Sequence, residues 1–101
     1  MESTARIVID VPDDLPRELV AQYLDSCRED LVRLHAALAA NDYGRARRLG
    51  HQMKGTGSPY GFADVTLIGS AIEQAAAHSG AIELASQIQL LETYLNLVDI
   101  A

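Results

Sequence analysis

Residues 45–55 hold the clearest candidate for chemistry in this 101-residue chain. The run Arg45-Ala46-Arg47-Arg48-Leu49-Gly50-His51-Gln52-Met53-Lys54-Gly55 carries four of its eight basic residues around a single histidine. A neutral imidazole nitrogen is a competent nucleophile at physiological pH, whereas Ser or Thr needs a dedicated base. Lys54, three residues after His51, falls within one helical turn of the ring and could neutralise a phosphoryl group placed on it. Arg47 and Arg48 extend the same positive field a turn earlier. Gly55 sits one turn beyond His51, where glycine costs about 1 kcal/mol relative to Ala, so its presence suggests that a side chain there would obstruct a docking partner.

Other chemistries fit less well. His35 lies between Leu34 and Ala36, and His78 lies near an expected helix C-terminus, where partial positive charge is favourable; both read as structural. The histidines are scattered, and neither H-E-x-x-H nor paired cysteine spacing occurs, so no intrinsic metal or other cofactor is expected. Gly55-Thr56-Gly57 resembles the start of a phosphate-binding loop, but the third glycine of G-x-G-x-x-G would fall at Tyr60 and no G-K-[ST] follows. Autonomous ATP binding is therefore not expected, and a hydrolytic enzyme would need a base and pocket that the sequence does not offer. A net charge of −6 argues against nucleic-acid binding. The chain has no run of about 18 apolar residues to span a membrane. The start, MESTARIV, lacks the features of a secretion signal, and a cytoplasmic protein is expected. The single Cys27 agrees with a reducing compartment and reads as a small core residue.

The elements that must position His51 are helices. Hydrophobic residues make up 49% of the chain, aromatic residues only 5%, and Pro is limited to three, a mix that favours helix over sheet. Asp13, Asp14 and Pro16 signal a helix start, and Val20, Leu24, Cys27, Leu31, Leu34 and Leu38 then form a seam running toward Ala40. Asn41-Asp42 recaps the chain, which predicts a second helix from about 42 to Ser58, where Pro59 and Gly61 break it. On that helix Ala46, Leu49, Met53, Thr56 and Tyr60 share the core side, while Gly44, Arg47, Arg48, His51, Lys54, Gly55 and Ser58 share the outer side. A third helix from about Phe62 turns Val65, Ile68, Ile72 and Ala75 inward and ends near Ser79-Gly80, with the glycine suited to the left-handed position. A fourth, from about Ala81 to Val98, buries Leu84, Ile88, Leu91, Leu95 and Val98. The fold class expected is all-α: an antiparallel four-helix bundle over residues 14–101. Residues 1–13 are expected as an extended or loosely docked N-terminal arm, because the β-branched run Ile7-Val8-Ile9 has no evident strand to pair with.

His51-Gln52-Met53-Lys54-Gly55, followed by Gly61 and by Ile72-Glu73, resembles the H-x-x-K-G, later G, later L-E pattern of histidine-phosphotransfer (HPt) domains. The likeness by motif spans about residues 44–76, and Leu38-Ala39-Ala40-Asn41-Asp42 is similar to the family's usual lead-in. It implies a phosphorelay intermediate of two-component signalling: a carrier without ATP-dependent kinase activity of its own. His51 would accept a phosphoryl group from one receiver-domain aspartate and pass it to another. The same resemblance implies that Lys54 stabilises the phosphoryl group and that Gly55 leaves room for the receiver. Glu73 matches a position that can hydrogen-bond the other ring nitrogen. Arg47, Arg48 and Ser58 would join Gly55 in partner binding. Response-regulator receiver domains and a hybrid or receiver-linked histidine kinase are the implied partners, with Mg²⁺ supplied by the receiver. Pro59 and Gly57 depart from the family's longer helix, which predicts that the second helix bends or stops early. The competing reading is a non-catalytic helical protein-interaction module, which explains the seams equally well.

Overall fold

The computed structural model describes residues 6–101. Four helices carry the fold: α1 (Arg17–Ala39), α2 (Tyr43–Thr56), α3 (Ala63–Ala77) and α4 (Ala81–Leu97). Each packs on two others, in the cycle α1, α2, α3, α4 and back to α1, so their apolar stripes meet in one core. Val20, Leu34, Ala46, Phe62, Val65, Ile72, Leu84 and Leu91 are fully excluded from solvent there. Cys27 is buried in the same core, and burial pushes its thiol up to about 11. The expected all-α bundle is the observed fold.

The connections are short because each helix end is closed by local backbone bonds. After α1 the amides of Asn41 and Asp42 return to the carbonyls of Leu38 and Ala37, and Asn41 takes the left-handed conformation, with φ 54°. Asp42 then caps α2 by accepting a bond from the Arg45 amide at 3.1 Å. The turn after α3 repeats this pattern, with the amides of Ser79 and Gly80 returning to Ala76 and Ala75. Here the left-handed residue is Ser79, with φ 52°, and not Gly80 as the sequence suggested; Gly80 instead precedes the first turn of α4. At the other end of the chain, Pro16 is the cap of α1, and Asp13 and Asp14 lie in a preceding turn rather than in the helix.

Two further differences from the sequence reading matter. The first is at the end of α2, which stops at Thr56 and gives way to a single 3-10 turn, Ser58–Tyr60. Pro59 supplies no amide for a continued helix, and Gly61, at φ 96°, reverses the chain so that the Phe62 amide bonds to the Gly57 carbonyl at 2.8 Å. The second is at the termini. Ile7–Ile9 forms a strand, β1, paired in parallel with a second strand, β2 (Val98–Ile100), in the register Ile7 to Val98 and Ile9 to Ile100. The partner that the sequence seemed to lack is the end of the expected fourth helix, where Val98 turns to extended geometry and stays buried. Arg6 pairs with Asp99 at 2.9 Å and Arg17 donates to the carbonyl of Ile100 at 3.1 Å. The expected arm is thus extended and held by strand pairing from Ile7 onward; residues 1–5 of it lie outside the described residues.

Candidate functional site

The site is built on the closest contact in the bundle, the seam between α2 and α3. Two buried glycines set its width. A Cβ on Gly50 would lie 2.7 Å from the Glu73 amide nitrogen and 2.8 Å from the Gly69 carbonyl oxygen. On Gly69 it would lie 2.6 Å from the Lys54 nitrogen and 2.8 Å from the Gly50 oxygen. Neither position tolerates a side chain without moving backbone, so the two helices touch nearly main chain to main chain. That approach brings the outer edges of both helices together, and with them His51, Lys54 and Glu73.

His51 Nδ1 and Glu73 Oε2 are 2.8 Å apart across the seam, and Lys54 Nζ lies 3.5 Å from Glu73 Oε1. The imidazole is 72% exposed while the Glu73 side chain is only 19% exposed, so the carboxylate is a shielded base plate beneath an open ring. The bond from His51, helped by the charge of Lys54, holds the Glu73 carboxyl below the usual carboxylate range, against a smaller opposing effect of burial. An ionised carboxylate can only accept. The proton of a neutral His51 therefore sits on Nδ1, and Nε2 keeps its lone pair. Among the described residues Nε2 has no hydrogen-bond partner.

Gly55 differs from Gly50 and Gly69: a Cβ there would meet nothing within 4 Å. Nothing inside the molecule requires a glycine at that position. Arg47 and Arg48 are exposed on the side of His51 nearer the start of α2. With Gly44, His51 and Glu73 they line an open cleft of about 440 Å³. Ser58 is not on the outer face of α2 but in the 3-10 turn, its amide donating to Thr66 Oγ1 at 2.8 Å. Behind α2, Leu49, Thr56 and Tyr60 are only half-buried, and Tyr23 of α1 anchors that end by stacking on Tyr60 at 4.3 Å and bonding Thr56 Oγ1 at 2.8 Å.

The remaining histidines are elsewhere. His35 ties α1 to α4 through Glu92 at 2.7 Å, and His78 is exposed at the end of α3. Residue types and spacing had put Gly50 and Gly69 in no functional role, while Gly44 was placed with His51 on the outer side of the second helix. The signal available was the presence of glycine inside helices, where each costs about 1 kcal/mol relative to Ala.

The family model described as Hpt domain matches residues 18–100 of the chain. No curated protein and no solved structure matches it.

Proposed function

The chain belongs to the Hpt domain family, and from that premise we propose that His51 is its phospho-acceptor, taking a phosphoryl group from one receiver-domain aspartate and delivering it to another. Members of this family are phosphotransfer carriers rather than kinases, and they work with receiver domains and histidine kinases in two-component systems. The observation that carries the assignment is the bond from His51 Nδ1 to Glu73, which leaves Nε2 basic on an exposed ring.

In the proposed step the Nε2 lone pair attacks the phosphorus of an aspartyl phosphate. The N–P bond forms as the P–O bond to the aspartate breaks, and the partner recovers its carboxylate. The ring becomes an imidazolium whose positive charge faces Glu73, which both orients the imidazole and offsets that charge. Lys54 is held only loosely by Glu73 at 3.5 Å and can turn a donor toward the phosphoryl oxygens. The return step runs the same bonds backward onto a second aspartate. Mg²⁺, which the partner's acidic pocket would hold, would supply charge neutralisation at the aspartyl phosphate. Since the reacting groups come from two proteins, catalysis reduces to positioning and charge stabilisation.

Arg47, Arg48 and Gly55 flank His51 as a docking surface, with Ser58 beyond them in the 3-10 turn. The open space over Gly55 favours a partner that approaches the helix backbone there. The donors are a hybrid or receiver-linked histidine kinase and the acceptors response-regulator receivers, in the cytoplasm, with no ATP-dependent kinase activity in this chain. The test is to mix the protein with radiolabelled phospho-receivers and Mg²⁺. Acid-labile, alkali-stable label should appear on the wild type and be absent from His51→Gln. A His51→Gln variant that still accepts and relays phosphate would overturn the assignment, and partner binding without any transfer would favour the interaction module.

A further inference from the structure

The cations around His51 are not equivalent. Lys54 is engaged with Glu73 across the seam, whereas neither the Arg47 nor the Arg48 guanidinium has a hydrogen-bond or carboxylate partner among the described residues. The Arg45 guanidinium is equally without a partner among the described residues, but only Arg47 and Arg48 line the cleft beside His51. Helical side chains lean over the turn that precedes their own Cα. The ring of His51 therefore leans over the turn carrying Arg47 and Arg48, and the cleft of about 440 Å³ that these residues line with Gly44 opens on that side. Gly44 has no side chain to fill the space, and Arg48 Nη1 lies 3.6 Å from where its Cβ would be.

We infer that this cleft is the seat of the phosphoryl oxygens once the group is on His51, with Arg47 and Arg48 as its guanidinium donors. The inference rests on His51 being the phospho-acceptor and assigns to these arginines a direct contact with the group carried. A guanidinium presents paired N–H donors that match two oxygens of a phosphoryl group, which a single ammonium does not. The carrier then holds the group from two sides, Lys54 from the C-terminal side of His51 and the two arginines from the N-terminal side. These contacts exist in the phosphorylated protein alone, with no receiver present.

That last property makes the test independent of docking. Wild type, Arg47→Gln/Arg48→Gln and Arg45→Gln would each be phosphorylated with phosphoramidate, the modified position mapped by mass spectrometry, and the phosphohistidine ³¹P resonance titrated against pH. Cations next to the group favour its dianion, so the double variant should titrate about half a unit or more higher than wild type. Arg45→Gln removes the same kind of charge from the same helix at a residue that does not line the cleft, and should leave the curve in place. Superimposable curves for wild type and the double variant would overturn the inference while leaving His51 as acceptor. A shift from Arg45→Gln about half that of the double variant, and so equal per charge removed, would also overturn it, by showing a diffuse field rather than a seat. Absence of phosphate from His51, with phosphoramidate and with phospho-receivers alike, would remove the acceptor assignment itself.

Discussion

Replacing Glu73 by Ala removes the acceptor that keeps the His51 proton on Nδ1, and free imidazole side chains prefer the opposite tautomer. Ring ¹⁵N shifts of the wild type at neutral pH should report Nδ1–H, and Glu73→Ala should move the population toward Nε2–H with a slower phosphoryl uptake. Unchanged shifts would mean that the 2.8 Å contact does not govern the ring. Because the folded carboxyl titrates below its usual range, any stability this tie gives is present at neutral pH and is lost as pH falls through the lowered value. Gly55 separates folding from function more cleanly. Since a Cβ there meets nothing, Gly55→Ala should raise stability, by less than the roughly 1 kcal/mol of a helix interior because Gly55 is in the last turn of α2, and yet slow transfer from a receiver. A melting curve and a transfer time course on the same sample would check both, and a variant both more stable and equally fast would end the docking role of this glycine. That His51 and Lys54 are neighbours was legible from spacing because they share one turn, while their roles came from the family pattern. Glu73 was not legible in this way, being 22 residues away on another helix; without the family pattern it reads as an ordinary surface carboxylate.

Between elements, the decisive quantity is the separation of α2 and α3. A side chain on Gly69 would sit 2.6 Å from the Lys54 nitrogen, so Gly69→Ala must push the helices apart, a strain of about 1–3 kcal/mol. The expected signature is a lower melting temperature together with loss of the Nδ1–H tautomer preference, since the displacement separates His51 from Glu73. A destabilised variant with the tautomer intact would show that the site does not depend on this approach. Periodicity placed all four helices but could not reveal this contact, because it says which face is buried and not how near the neighbour comes. Helix ends were legible where capping chemistry is explicit, as at Asp42, whereas Pro59 marked a break that begins two residues earlier than Ser58, at Thr56. They were misread where the chain adopts a left-handed serine, as at Ser79, or passes straight from helix into strand, as at Val98.

At the scale of the whole molecule the core is uneven in a way the heptad pattern could not show. Leu91 is fully buried, but Leu31, on an equally regular seam, is only partly covered. Leu91→Ala should therefore cost about 2–5 kcal/mol and Leu31→Ala distinctly less, as read by urea denaturation. Equal losses would contradict the packing. The bundle was legible as a class because residue periodicity is a local property. The pairing of Ile7–Ile9 with Val98–Ile100 was not, because it joins segments at opposite ends of the sequence and neither is long enough to read as a strand by itself.

That pairing imposes an order of events on the newborn chain. Ile7–Ile9 leaves the ribosome before any of the helices, but its hydrogen-bonding mate is not made until all four helices have been synthesised. Contacts between consecutive helices close short loops and form early, while a contact spanning nearly the whole chain bears the greatest entropic penalty and comes last. The surface around His51, lying wholly within α2 and α3, is expected to assemble before this clasp shuts.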